Sequence, residues 1–401
     1  MLKNAPVAST AASPPLVGLD LIRTLIGFDT TSRESNLELI HWVRDYLARE
    51  GVESQLVFND DQRKANLFAT LPAQNGNVLE GGILLSGHTD VVPVDGQPWD
   101  HPPFEATIVG DRLYGRGAAD MKSFSAIALA FVPEWLRRGL SRPLHLALSY
   151  DEEVGCVGVR RLITELVARG VQPAGCIVGE PSGMHVVVAH KGKLGLRCRV
   201  RGHEVHSALT SRGVNAVQVA CEVVSFLAQM ARRFRERGGF DAAYDVPYTT
   251  VHTGVIRGGT ALNIVPRDCS FDFEIRHLPF DDPAELLAEV KRFSATLLPE
   301  MHAVDPATRI DFETLSTLPG FDTHGGSEIV ELGKACADSP EVGKVSFGSE
   351  AALFHNAAMP AIICGPGHIA QAHQPNEWVT LEQLAQCEAF MRRLGDRICA
   401  A

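Results

Sequence analysis

The chain has 401 residues, 45% of them apolar and 21% charged, and a formal net charge of −11. That length exceeds one simple core and predicts two domains of ordinary globular composition. The acidic balance, with no Lys/Arg-rich tract, argues against nucleic acid as a partner; the densest basic run, Arg232 to Gly239, reads as a solvated helix end.

Residues 1–15, small, polar and Pro-containing, read as a loose arm without the apolar stretch of a signal peptide. Next come two amphipathic helices. One carries Leu21, Leu25 and Phe28 on one side, and the second, "LELIHWVRDYLAREGV", ends at Gly51. "NLFATLP" and "GGILLSGHTDVVPV" read as strands, "DGQPWDHPPFEA" as a loop and "SFSAIALAFVPEWLRRG" as a helix. A strand over 144–150, a helix near 157–169 and the short strand "GCIVGE" follow. Strands alternating with helices predict an α/β sandwich around a largely parallel sheet.

The pattern changes near residue 185. "HVVVAHKGKLGLRCRVRG" reads as two alternating strands, and a long helix, two more strands and another helix follow. This predicts an inserted α+β module over 185–302, with the first domain formed by 16–184 and 303–401. Nine scattered cysteines without a CxxC pair fit a reducing, cytoplasmic setting rather than a disulfide framework. No apolar run is long enough to span a bilayer, so no membrane partner is expected.

Several apolar strands run into metal-capable side chains. One ends in His88 and Asp90, another in Asp151, Glu152 and Glu153, a third in Glu180, and "PAIICGPG" opens a loop with His368 and His373. Asp120 lies in the Gly-rich stretch "YGRGAADMK". Ligands of open α/β sheets gather beyond the carboxyl ends of the strands. The strand spacing of His88 and Asp90 lets the Asp90 carboxylate accept the second ring N–H of His88. Two histidines and three carboxylates suit zinc or cobalt, and an odd carboxylate can bridge two ions about 3.5–4 Å apart. Consecutive acids at a core strand end are then tolerable. A cation neutralises Glu153, Glu152 stays free to accept a proton, and Asp151 is a solvated flank.

"SGHTDVVPV", "YGRGAADMKS", "YDEEVGCVG", "VGEPS", "RGHEVHSA" and "AHQPNEWV" together resemble the motif series of the dinuclear zinc peptidase/deacylase family, in order, from about residue 16 to the end. The resemblance implies two divalent ions, zinc or cobalt, with His88 and Glu180 on one, Glu153 and His373 on the other and Asp120 bridging. It implies Glu152 as general base and His206 as the oxyanion-stabilising histidine that dimeric members take from the partner subunit. Arg276 and Asn263 resemble residues that hold the substrate carboxylate, and the inserted module resembles the family's ferredoxin-like lid and dimerisation domain. A cis peptide is expected at Asp120–Met121. The C-terminal stretch from Gly348 most resembles the branch that deacetylates N2-acetyl-L-ornithine. For that substrate, Gly365 and Gly367 would allow close backbone approach, and Glu350 would read the side-chain ammonium. Other deacylases or dipeptidases of the family, and an inactive metal-binding scaffold, are the competing readings; a spare base such as Glu152 argues against the scaffold.

Overall fold

The computed structural model describes residues 16–400, so the N-terminal arm over 1–15 lies outside the described residues. A nine-stranded mixed sheet forms the larger layer. At its centre the strands Leu144–Ser149, Ile83–His88, Gly175–Pro181 and Ala361–Gly365 lie side by side and parallel. All four are buried along their whole length. That is why they read as continuous apolar runs: helices cover both faces of a parallel sheet. On one face pack the helices Leu19–Ile26, Leu37–Arg49, Lys122–Arg138, Glu328–Ala337 and Leu381–Ile398, and on the other Val157–Ala168 and Ala351–Asn356. Antiparallel pairings, such as Ser54–Phe58 on Ala65–Leu71, complete the sheet towards its edges.

The second layer is a four-stranded antiparallel sheet in the order Thr250–Gly258, Asp268–His277, Gly192–Arg201, Arg309–Leu318. Along Asp268–His277 burial alternates residue by residue. The inner face packs on the helices Ala216–Arg237 and Pro283–Ala295 around Leu196, Cys198, Phe271, Phe273 and Val223. The long helix is started by Asn215, whose side chain accepts from the Val217 and Gln218 amides at 3.0 and 3.1 Å. The chain order strand-helix-strand-strand-helix-strand is ferredoxin-like.

The boundaries expected for this module need correction at both ends. Val186–His190 belongs to the nine-stranded sheet, paired with Val342–Val345, Phe321–Asp322 and Ala361–Gly365. The fourth strand of the small sheet is Arg309–Leu318, so the module spans 192–318 rather than 185–302. Alternation does not say which sheet a strand joins, so "HVVVAHKGKLGLRCRVRG" looked like one hairpin when it crosses between two sheets at Lys191. Arg309–Leu318 is mostly exposed and escapes an apolar-pattern search. The three-stranded sheet of Thr107–Val109, Arg112–Tyr114 and Trp378–Thr380 was likewise not legible, because each strand has only three residues. No helix among the described residues is long and apolar enough to cross a membrane.

Candidate metal centre

Because the four central strands are adjacent and parallel, their carboxyl ends form one continuous rim. His88 is the last residue of its strand, Glu180 the penultimate residue of its own, and Glu152 and Glu153 stand just past Ser149. Asp120 arrives from the turn before the helix Lys122–Arg138, and its peptide bond to Met121 is cis, as expected.

The side chains converge. His88 Nε2 lies 2.9 Å from Asp120 Oδ1 and 3.8 Å from Glu180 Oε1. His373 Nε2 lies 2.9 Å from Glu153 Oε2 and 3.4 Å from Asp120 Oδ2. The two oxygens of Asp120 therefore face two different histidines. Donor atoms of His88, Glu152 and Glu180 all lie within 4.8 Å of one another, as do those of His88, Asp120 and Glu153. The His88 side chain is fully buried and Asp120, Glu153 and Glu180 nearly so, whereas that of His373 is 49% exposed.

Four carboxyl groups in one buried cluster repel one another. Burial, reinforced by Glu153 and Asp120, pushes the Glu152 carboxyl up to about 8 against the attraction of His88. Burial and the charges of Asp120 and Glu152 hold Glu180 well above the usual carboxylate range. Hydrogen bonds to Asp120 and Glu153 raise the His373 imidazole to about 10. For His88 burial acts downward, but the hydrogen bond to Asp120 and the surrounding acids win, and its pKa is raised. Such a cluster calls for positive charge. Glu180 Oε1 is buried with no hydrogen-bond partner among the described residues, which is costly for an anionic oxygen unless a cation meets it. The nitrogen and oxygen donors, their convergence and this orphaned oxygen fit a metal centre. Asp151 is not the solvated flank expected: it is mostly buried and ion-paired with Lys64.

The cluster forms the floor of a cleft of about 390 Å³. Asp120, Glu152, Glu153, Glu180 and His373 line it from the larger layer, and Lys193 and Arg276 from the small sheet. Arg276 and Lys193 are direct cross-strand partners, and both approach Glu274, at 2.9 Å from Arg276 Nε and 3.8 Å from Lys193 Nζ. Lys193 escaped the sequence reading because cross-strand register is not written in either strand.

Several expected residues are placed otherwise. It is the Asp90 backbone carbonyl that lies 2.9 Å from His88 Nδ1; the carboxylate is 3.7 Å away. The carboxylate instead accepts from the Ser32 hydroxyl at 2.7 Å and from the Glu152 and Glu153 amides at 3.0 and 3.3 Å, so it positions the turn that carries both glutamates. Glu350 does not line the cleft: it is fully buried, and its two oxygens accept from Ser86 and Ser149 hydroxyls at 2.6 and 2.7 Å. With both oxygens engaged beneath the sheet's end, it cannot read an ammonium. Gly365 and Gly367 are also buried away from the cleft. A Cβ on Gly365 would meet the Gly179 carbonyl at 2.0 Å, and one on Gly367, at φ +89°, would meet Ala119 Cβ at 2.7 Å. Their smallness lets this turn pack on the backbone beside Glu180 and Asp120, not on a ligand. His206 and Asn263 do not line the cleft either. Both are exposed, side by side, with the Ser207 amide donating to the Asn263 carbonyl at 2.9 Å. His203 is held by Asp305 at 2.7 Å.

Sequence reasoning also missed Glu377. Its buried carboxylate accepts from the Ala119 and Asp120 amides and pairs with Arg116. It lies inside the quoted motif "AHQPNEWV", four residues after His373, but its partner is 261 positions away.

The model of peptidase family M20/M25/M40 matches residues 84–397. The acetylornithine deacetylase of Pasteurella multocida is 32% identical over 386 residues, covering 94% of this chain and 95% of that protein. That of Myxococcus xanthus is 34% identical over 381 residues, covering 94% and 96%. Aminopeptidase PepT from Bacillus cereus superposes with a TM-score of 0.75 at 21% identity, covering 94% of this chain and 96% of that one, a likeness of fold. The match across most of the chain, on a fold that gathers the motif residues at one rim, makes this chain a member of peptidase family M20/M25/M40.

Proposed function

We propose that the chain is a metal-dependent amidohydrolase that cleaves N2-acetyl-L-ornithine to L-ornithine and acetate. The observation that carries the hydrolytic part is the division of Asp120 between two half-clusters, Oδ1 towards His88 and Oδ2 towards His373. The substrate rests on the near full-length likeness to relatives named acetylornithine deacetylase. His88 and Glu180 would hold one ion, Glu153 and His373 the second, and Asp120 both; zinc suits this donor set best and cobalt also fits. Zinc, when bound, would supply polarisation of the scissile carbonyl and an attacking water of lowered pKa.

Glu152 then acts as general base. It takes the proton of the attacking water on a carboxylate oxygen and returns it to the leaving nitrogen as the C–N bond breaks. Glu152 accepts a hydrogen bond from Cys156 Sγ at 3.1 Å, and its backbone is held by Asp90, so it is aimed before substrate arrives. Arg276 offers a planar fork to the substrate α-carboxylate, with Lys193 beside it. The compartment proposed is the cytoplasm, which the nine free cysteines support.

His206 and Asn263 lie outside the cleft of their own chain, which supports a homodimer through the 192–318 module in which each copy completes the other's site. His206 of the second copy would donate to the developing oxyanion, a contribution of about 3–4 kcal/mol for one such donor. Mixing an inactive His206→Ala chain with an inactive Glu152→Gln chain is expected to restore part of the activity, because heterodimers hold one intact site. No recovery despite proven subunit exchange would mean that each chain is self-contained.

A second reading is favoured by the cations at the cleft wall. Lys193 and Arg276 suit an acidic N-acyl amino acid, and Glu350 offers no counter-charge for an ammonium. A panel of N-acetylornithine, N-acetylglutamate, N-acetylmethionine and N-succinyl-diaminopimelate with the metal-loaded enzyme separates the two. The expected result is the highest kcat/KM for N-acetylornithine. A tenfold preference for N-acetylglutamate would transfer the assignment to the second reading.

A further inference from the structure

The buried pair Arg116–Glu377 belongs to neither the ligands nor the base, yet it links the backbone of Asp120 to the loop that carries His373. The short antiparallel pairing of Tyr114 with Trp378, continued by the Gly115 amide on the Glu377 carbonyl at 3.0 Å, brings the two residues together. Both side chains are 1% exposed, with Nη1 2.7 Å from Oε2. The other Glu377 oxygen, Oε1, accepts from the Ala119 and Asp120 amides at 2.8 and 3.0 Å, which ties it to the backbone of the shared carboxylate. Arg116 reaches the other way. Its Nη1 lies 3.4 Å from the Gln374 carbonyl, and its Nη2 donates at 2.8 Å to Gln97, whose Nε2 lies 3.5 Å from the His373 carbonyl.

The His373 loop needs such ties. His373 and Asn376 have φ of +62° and +57°, the left-handed region that residues with a Cβ adopt uncommonly. His373 is also the half-exposed member of the cluster, whereas His88 and Glu180 are fixed within buried strands.

We infer that the Arg116–Glu377 ion pair is a positioning device that sets the affinity of the His373/Glu153 half of the cluster for its ion, by fixing the Asp120 backbone relative to the His373 loop. The inference rests on the dinuclear reading above. It predicts a selective defect, because the His88/Glu180 half keeps its own supports.

The test is a titration of the metal-stripped full chain with Zn²⁺ and with Co²⁺, read by calorimetry and by elemental analysis of bound metal. Wild type is expected to take up two ions. Glu377→Gln, which places an amide donor against Arg116 or loses the backbone bonds, is expected to bind the first ion within about threefold of wild type. It should bind the second about 10- to 100-fold more weakly, the usual scale for a partner that orients ligands. Gln97→Ala, a half-buried change that spares the ion pair, is expected to weaken the second ion alone and by less, and it keeps the test open should Glu377→Gln not fold. A pair that merely stabilises the fold would weaken both ions alike or neither, and either result overturns the inference. A wild-type chain that takes up one ion or none overturns the dinuclear reading and the inference with it.

Discussion

Glu152→Gln is expected to lower kcat about 10²- to 10⁴-fold, the usual contribution of a positioned acid–base group, while the metal content stays at the wild-type level. That corresponds to roughly 3–5 kcal/mol of transition-state stabilisation. The amide has nearly the same shape, so the Asp90-held turn and the neighbouring Glu153 stay in place, but it cannot take a proton from the attacking water. The geometry allows one competing outcome, because Glu152 also lies within 4.8 Å of donor atoms of His88 and Glu180. If Glu152 is a ligand rather than the base, the substitution lowers bound metal together with activity. Paired measurements of kcat and bound metal by elemental analysis decide the matter. Activity above about a hundredth of wild type with full metal would remove Glu152 from the mechanism.

Asp120→Ala is expected to weaken both ions together, and by more than the roughly 10- to 100-fold that the loss of an orienting partner costs. Each of its oxygens faces a different histidine, Oδ1 at 2.9 Å from His88 and Oδ2 at 3.4 Å from His373. Glu180→Ala removes a donor from the His88 half alone and should leave the His373 half within a few-fold of wild type. Titration of the metal-stripped variants with Zn²⁺ resolves the two cases. If Asp120→Ala still takes up two ions within tenfold of the wild-type affinities, the bridging role is wrong. Glu377→Gln leaves the Asp120 carboxylate in place and is the mirror case of Glu180→Ala, expected to weaken the His373 half alone.

The sequence by itself marked the candidates for the cluster. His88, Asp120, Glu152, Glu153 and Glu180 stood out, with His368 beside His373, because each sits at or just beyond an apolar strand or in a Gly-rich turn; the family resemblance, not the pattern, chose His373 over His368. A buried parallel sheet forces its strands to be apolar, so polar residues at their ends stand out. It also determined the two-layer architecture, through the change from alternating strand and helix to paired strands near residue 185.

What only the tertiary structure decided are the contacts between positions far apart in the chain and the direction each side chain takes. Glu350 carries the right charge for an ammonium, yet folding points it into the sheet, where Ser86 and Ser149 satisfy it. Asp90 has the right spacing to orient His88, yet its carboxylate turns to the amides of Glu152 and Glu153. Gly365 and Gly367 are small for the sake of backbone packing rather than a ligand. Lys193 meets Arg276 through strand register, and Arg116 meets Glu377 across 261 residues. A local pattern reports which face of an element is apolar. Which partner a polar group finds depends on which elements the core brings together, because burial forces each buried polar group to take the nearest donor or acceptor.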